Sequence, residues 1–89
     1  MDYLPLFYQL KGLRCLVVGG GEIATRKASM LQRAGALLRV VSPEFCAEMA
    51  KLLEEEVRSE KIQRNYVSAD LEGVVLVIAA TDDESTNKL

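Results

Sequence analysis

The run Leu13-Arg14-Cys15-Leu16-Val17-Val18-Gly19-Gly20-Gly21-Glu22-Ile23-Ala24 constrains this chain more than any other stretch. An apolar, strand-like segment leads straight into three glycines, and a helical pattern follows at once. The backbone must leave a strand, turn tightly and enter a helix within a few residues. Gly19 allows the tight turn. Gly21 carries no side chain, so a pyrophosphate can approach the main chain there. Ala24 lets the helix pack close to the strand. The first turn of that helix presents N–H groups without partners and a partial positive charge, which together suit an anion. Gly-x-Gly-x-x-Ala between a strand and a helix is the dinucleotide-binding pattern in its required context.

The rest of the chain repeats the alternation of strand and helix. Residues 13–18 are almost continuously apolar, as in a parallel strand covered on both faces. A helix is expected over 22–34, with Ile23, the Lys27 stem, Met30, Leu31 and Ala34 inward and Arg26, Gln32 and Arg33 toward water. Gly35 suits its C-terminal cap. Residues 37–41 read as a second strand. Ser42 then reads as an N-cap and Pro43 as the first position of a second helix running to about Ser59. Phe45, Cys46, Met49, Ala50, Leu53 and Val57 form its apolar stripe, and Glu54-Glu55-Glu56 a solvated face. Residues 62–67 alternate with period two, which suits a third, edge strand. Residues 68–73 hold one helical turn at most. Residues 74–80 are apolar and rich in β-branched side chains, a fourth strand. Residues 81–84 lead into another helix, capped by Thr81 or Asp82. Tyr3, Leu4, Leu6, Phe7, Tyr8 and Leu10 are too apolar for a free tail and are expected to pack on the sheet edge, with Pro5 opposing a regular element. This order predicts an α/β, Rossmann-like open parallel sheet with strand order 3-2-1-4.

Eighty-nine residues make one small domain, spanning 1–89. Two complete mononucleotide-binding halves need more chain than this. The last helical pattern reaches Leu89 with no stop signal, so the domain reads as truncated, the N-terminal part of a longer protein. The net charge is −2 without a basic block, which gives no nucleic-acid footprint. The apolar runs are too short to span a bilayer, and the N-terminus is unlike a signal peptide. The two cysteines are not paired in a Cys-x-x-Cys motif and the chain has no histidine. A disulfide or Cys/His zinc site is therefore not expected, and a reducing cytoplasm fits. Cys15 reads as a small buried hydrophobe.

Ligands in such sheets bind at the carboxyl ends of the strands. Three loops lie there, and the candidate cofactor contacts come from them: Gly19, Gly20, Gly21, Glu22 and Ile23; Ser42, Pro43 and Glu44; Thr81 and Asp82. An acid near the end of strand two takes the adenosine ribose in this fold, and Glu44 is the nearest carboxylate. It could equally serve as a first-turn charge on the second helix. No arginine follows strand two, which favours NAD over NADP. Glu22 offers its backbone N–H rather than its side chain. Arg26 and Lys27 could meet an anionic substrate or simply face water. Asp82 and Asp83 could form an acid–base pair, though helix capping accounts for them. No catalytic residue and no metal ligand is assigned.

Tyr3-Leu4-Pro5-Leu6-Phe7, the run Leu16 to Lys27 with its Gly-Gly-Gly-x-x-Ala-x-Arg-Lys core, Ala34-Gly35-Ala36 and Ala79-Ala80-Thr81-Asp82-Asp83 together resemble the N-terminal module of sirohaem synthases and the stand-alone precorrin-2 dehydrogenases. The resemblance covers essentially the whole chain. It implies NAD-dependent oxidation of the tetrapyrrole precorrin-2 to sirohydrochlorin, with insertion of ferrous iron following in many members. It implies a homodimer at full length, and in multifunctional members a fused methyltransferase. It places cofactor contacts on Glu22-Ile23 and Pro43-Glu44 besides the glycines. The catalytic aspartate it implies falls beyond Leu89, so the 89 residues alone are expected to be inactive. A non-catalytic NAD-sensing domain, or a β–α–β unit that binds nothing, would share the glycine turn.

Overall fold

The computed structural model describes residues 10–80. At its centre lies β1 (Arg14–Val18), whose Cys15, Leu16 and Val17 are completely buried. It pairs in parallel with β2 (Leu37–Ser42) on one side and β4 (Leu76–Ala79) on the other; β3 (Glu60–Gln63) adds to the far edge of β2, also in parallel. The order β3-β2-β1-β4 is the one expected from the sequence. Parallel pairing brings the carboxyl ends of all four strands to one edge of the sheet.

Two helices make the crossovers, α1 (Glu22–Arg33) and α2 (Ala47–Glu54). Cys15 and Val17 of β1, Leu38 and Val40 of β2, and Leu76 and Ile78 of β4 join Ala24, Ala28 and Leu31 of α1 and Met49 and Leu53 of α2 in one core. The buried face of α1 differs from the expected one. Ala24, Ala28 and Leu31 turn inward, while Lys27 is exposed and Ile23 is 40% exposed. Two alanines one turn apart let the helix axis approach the sheet, which a lysine stem would hold away. Gly35, with φ +90°, follows the last turn and its N–H donates to Gln32 O at 3.0 Å, as a C-terminal cap should.

The second helix departs further from expectation. It starts at Ala47 with Cys46 as N-cap, not with Ser42 and Pro43. The Ser42 hydroxyl instead donates to Glu44 O (2.7 Å) and accepts the Glu44 N–H (3.3 Å). A side chain that closes its own local turn competes with helix initiation. At the other end α2 stops at Glu54, and Val57 is 92% exposed. Ser59 ends it by donating its hydroxyl to Leu53 O (2.9 Å) and Glu56 O (2.7 Å), carbonyls that a longer helix would need for itself. β3 consequently begins two residues earlier than the alternation suggested, and a single 3₁₀ turn (Ser68–Leu71) follows it.

A polar network ties that turn to the sheet. Arg39 on β2 donates to Glu60 Oε1 (2.6 Å), Asp70 O (2.7 Å) and Glu72 O (2.8 Å). Arg14 donates to Leu38 O (3.0 Å) and Arg58 O (2.9 Å). The Asp70 carboxylate is buried. It accepts two bonds from the Arg64 guanidinium (2.7 and 3.0 Å) and one from the Val67 N–H (2.9 Å). These hydrogen bonds, the arginine first, lower its pKa to about 2 from the ordinary 3.8. A depressed folded-state pKa stabilises the fold above the unfolded value and loses that contribution as pH falls through the folded one. The gap in melting temperature between the parent and Asp70→Asn should therefore be full above pH 4 and close between about pH 4 and 2. Thermal melts across that range check it, and a gap independent of pH would refute it.

Candidate functional site

At the carboxyl edge of the sheet, residues 19–21 after β1 and residues 42–46 after β2 face each other across a cleft of about 390 Å³. Gly19 continues the ladder beyond β1, its N–H donating to Val41 O at 2.9 Å. Its φ of +132° lies where side chains are strongly disfavoured, so the turn requires glycine at this position. Gly21 is extended and caps α1 without a side chain.

The Gly21 carbonyl accepts both the Thr25 N–H (2.9 Å) and the Thr25 hydroxyl (2.8 Å). A trans peptide holds its C=O and N–H antiparallel. Fixing the Gly21 carbonyl toward the helix therefore aims the Glu22 N–H away from it, out of the helix N-terminus. The Gly20 carbonyl is fixed in the same way by the Cys46 N–H (2.8 Å), which orients the Gly21 N–H. Two successive backbone donors are thus pre-set at the end of α1, where the helix dipole adds positive charge.

Gly20 is buried against the second loop. A Cβ built on it would collide with the Glu44 carbonyl oxygen and lie 3.0 Å from Phe45 Cα. The dinucleotide pattern leaves this middle position free, so its glycine was the available sign of a close loop-to-loop contact. Thr25, Phe45 and Cys46 are the residues of the site that reading the sequence missed. Thr25 Oγ1 lies 3.4 Å from Cys46 Sγ and links the helix to the second loop.

The sequence-derived candidates fall in three groups. Gly19, Gly20, Gly21, Ser42, Pro43 and Glu44 line the cleft together. Among them Pro43 and Glu44 are exposed at its rim, whereas Ser42 is buried with its hydroxyl committed to Glu44. Glu22 and Ile23 lie just beyond, at the start of α1. Glu22 and Arg26 border a neighbouring hollow of about 340 Å³ with Thr25, Ser29 and Glu48. Thr81, Asp82 and Asp83 lie outside the described residues. Burial pushes the Cys15 thiol pKa up, as suits a packing residue rather than a nucleophile. Among the described residues no group of three or more His, Cys, Asp or Glu could hold a metal ion, and no helix is long and apolar enough to cross a membrane.

Residues 6–89 match the family model described as "Putative NAD(P)-binding". The chain belongs to this NAD(P)-binding family. Its similarity to named proteins is equally direct. It is 59% identical to the "Siroheme synthase" of Pseudomonas entomophila (strain L48) over 98% of its length, covering 19% of that protein. To the "Siroheme synthase" of Azotobacter vinelandii it is 55% identical over 98% of its length, covering 18% of that protein. A solved structure, "SirC, precorrin-2 dehydrogenase", superposes with a TM-score of 0.75 at 37% identity, over 89% of this chain and 39% of that one. The resemblance carried by the motifs is borne out. The chain spans about a fifth of the length of these curated relatives.

The family's glycine turn makes a stability prediction. Gly19→Ala forces a side chain into a backbone region that only glycine occupies readily, and should cost about 1–3 kcal/mol. Urea unfolding measures this, and an unchanged midpoint would count against it.

Proposed function

We propose that this chain is the cofactor-binding part of an enzyme that uses NAD to oxidise precorrin-2 to sirohydrochlorin, a step toward sirohaem. The observation that carries the reading is the cleft between the glycine turn and residues 42–46, at the carboxyl ends of β1 and β2. The relatives named for sirohaem synthesis and precorrin-2 dehydrogenation, similar over nearly the whole chain, support the choice of reaction.

The residues present fit a dinucleotide. The backbone at Gly21 is bare, the N–H groups of Gly21 and Glu22 are oriented outward, and Glu44 stands exposed on the opposite rim. The phosphates are held by those N–H groups and the N-terminus of α1. The Glu44 carboxylate accepts hydrogen bonds from the adenosine ribose. The Ser42 hydroxyl bonds the Glu44 backbone and shapes the turn that presents Glu44. When bound, NAD supplies the hydride acceptor, and the protein supplies orientation and electrostatics. Arg26 and Lys27, both exposed on α1, offer positive charge to a polycarboxylated tetrapyrrole. We assign turnover to a longer protein, since the chain spans about a fifth of the length of its relatives. From the sequence, Thr81 and Asp82, which follow β4 in the chain, are proposed as further cofactor contacts. Ferrous iron is a second substrate of the longer protein, which works as a cytoplasmic homodimer.

Gly21→Asp places a side chain and a negative charge where the pyrophosphate lies. In the full-length protein it should abolish NAD binding by calorimetry and sirohydrochlorin formation by absorbance. Retained NAD affinity in the variant would sink the site. NAD binding and its loss in Gly21→Asp, without any oxidation of precorrin-2 by the parent, would instead indicate a sensing domain.

Glu44 should also set cofactor choice, because its carboxylate repels a 2′-phosphate. The full-length enzyme is expected to prefer NAD to NADP by about tenfold or more, the loss of one charge-assisted contact. Glu44→Ala should narrow that gap, as steady-state kinetics with each cofactor will show. Equal use of both by the parent would contradict it.

A further inference from the structure

We infer that Gly20 is a positioning residue that holds the ribose-binding loop at its working distance from the phosphate turn, rather than a residue that touches the cofactor. The inference rests on the NAD reading above and assigns a role within that site.

The geometry separates the three glycines. Gly19 is required by its own backbone angle, and Gly21 faces the phosphate path. Gly20 has neither reason. What excludes a side chain from it is main chain: the Glu44 carbonyl oxygen and Phe45 Cα. Neither can swing aside as a flexible side chain would. The Glu44 carbonyl is itself held by the Ser42 hydroxyl at 2.7 Å, and the Gly20 carbonyl is held by the Cys46 N–H at 2.8 Å. The two loops therefore meet through backbone on both sides of Gly20.

The second loop is also supported from behind. The Gln63 side-chain amide reaches Pro43 O at 3.4 Å, and the Lys61 ammonium sits 5.3 Å from the centre of the Phe45 ring. Both come from β3, and both are exposed. With β3 at its back and Gly20 at its front, the loop has one seat. A methyl group at residue 20 would push it outward and carry the Glu44 carboxylate away from the ribose. The Glu22 N–H would stay where the bonds from Thr25 of α1 to the Gly21 carbonyl hold it.

The test uses steady-state kinetics on the full-length enzyme with Gly20→Ala. KM for NAD should rise about tenfold or more, since displacing a positioning element by an ångström has effects up to a hundredfold, while kcat changes less than about twofold. KM for NADP should stay level or fall, because a displaced Glu44 carboxylate repels the 2′-phosphate less, so the preference for NAD shrinks. A purely structural defect would lower the melting temperature and the amount of active enzyme without this shift in preference. KM for NAD and cofactor preference both unchanged in a folded Gly20→Ala would overturn the inference. Should the variant not fold, Lys61→Ala/Gln63→Ala decides. It removes the support from β3 at two exposed positions and should raise KM for NAD by about threefold or more. An unchanged KM there would overturn the inference. A parent that does not discriminate between the cofactors refutes the role of Glu44, while a rise in KM for both in Gly20→Ala still identifies Gly20 as the spacer.

Discussion

β1 is the strand through which everything else is placed. Its Cys15, Leu16 and Val17 are fully buried, and it pairs with β2, whose following loop forms the cleft, and with β4 on its other side. Parallel pairing fixes direction as well as distance. Val18 opposite Val41 puts the glycine turn and the loop after β2 side by side before any side chain acts. The backbone bond from Gly19 to Val41 extends that alignment one residue past the strand. The cleft is therefore a continuation of the sheet ladder, and its width is set by strand spacing before it is refined by the loops.

Much of this was legible in the residues. Continuous apolar runs at 13–18 and 74–80, with a glycine turn after the first, led to the parallel sheet, its order and the place of the cleft. The failures share one cause: polar side chains that bond to nearby backbone. Ser42 had the residue type and the following proline of a helix N-cap, yet its hydroxyl closes a turn with Glu44. Ser59 ends α2 early by bonding the Leu53 carbonyl in its last turn and the Glu56 carbonyl just past it. Periodicity reports burial, and it carries no information about where a hydroxyl will find its acceptor. The inward face of α1 was misread for a related reason. Alanine contributes little to a hydrophobic pattern, and here Ala24 and Ala28 mark the close approach of helix to sheet.

The site residues divide along the same line. Glycines and a carboxylate at strand ends were found because the motif specifies their chemistry. Thr25 and Cys46 were not, because they act on peptide planes that other residues present. Gly20 is intermediate. Its identity was visible, but its reason lies in a contact with Glu44, a residue twenty-four positions later.

The crossover from β3 to β4 contains only a single 3₁₀ turn, fastened by Arg39 and by the Arg64–Asp70 pair rather than by a packed helix. Its partner strand is remote: Cys15 stands opposite Leu76. Closing so long a loop carries a larger entropic cost than forming β1–α1–β2, whose contacts are near in sequence. Among the described residues, the cleft is lined by that local unit and the segment leading from β2 to α2. Contact separation therefore favours assembly from the nucleotide half outward, with β4 expected to dock last. Native-state hydrogen exchange would record the same hierarchy in reverse, with the amides of β4 opening before those of β1 and β2.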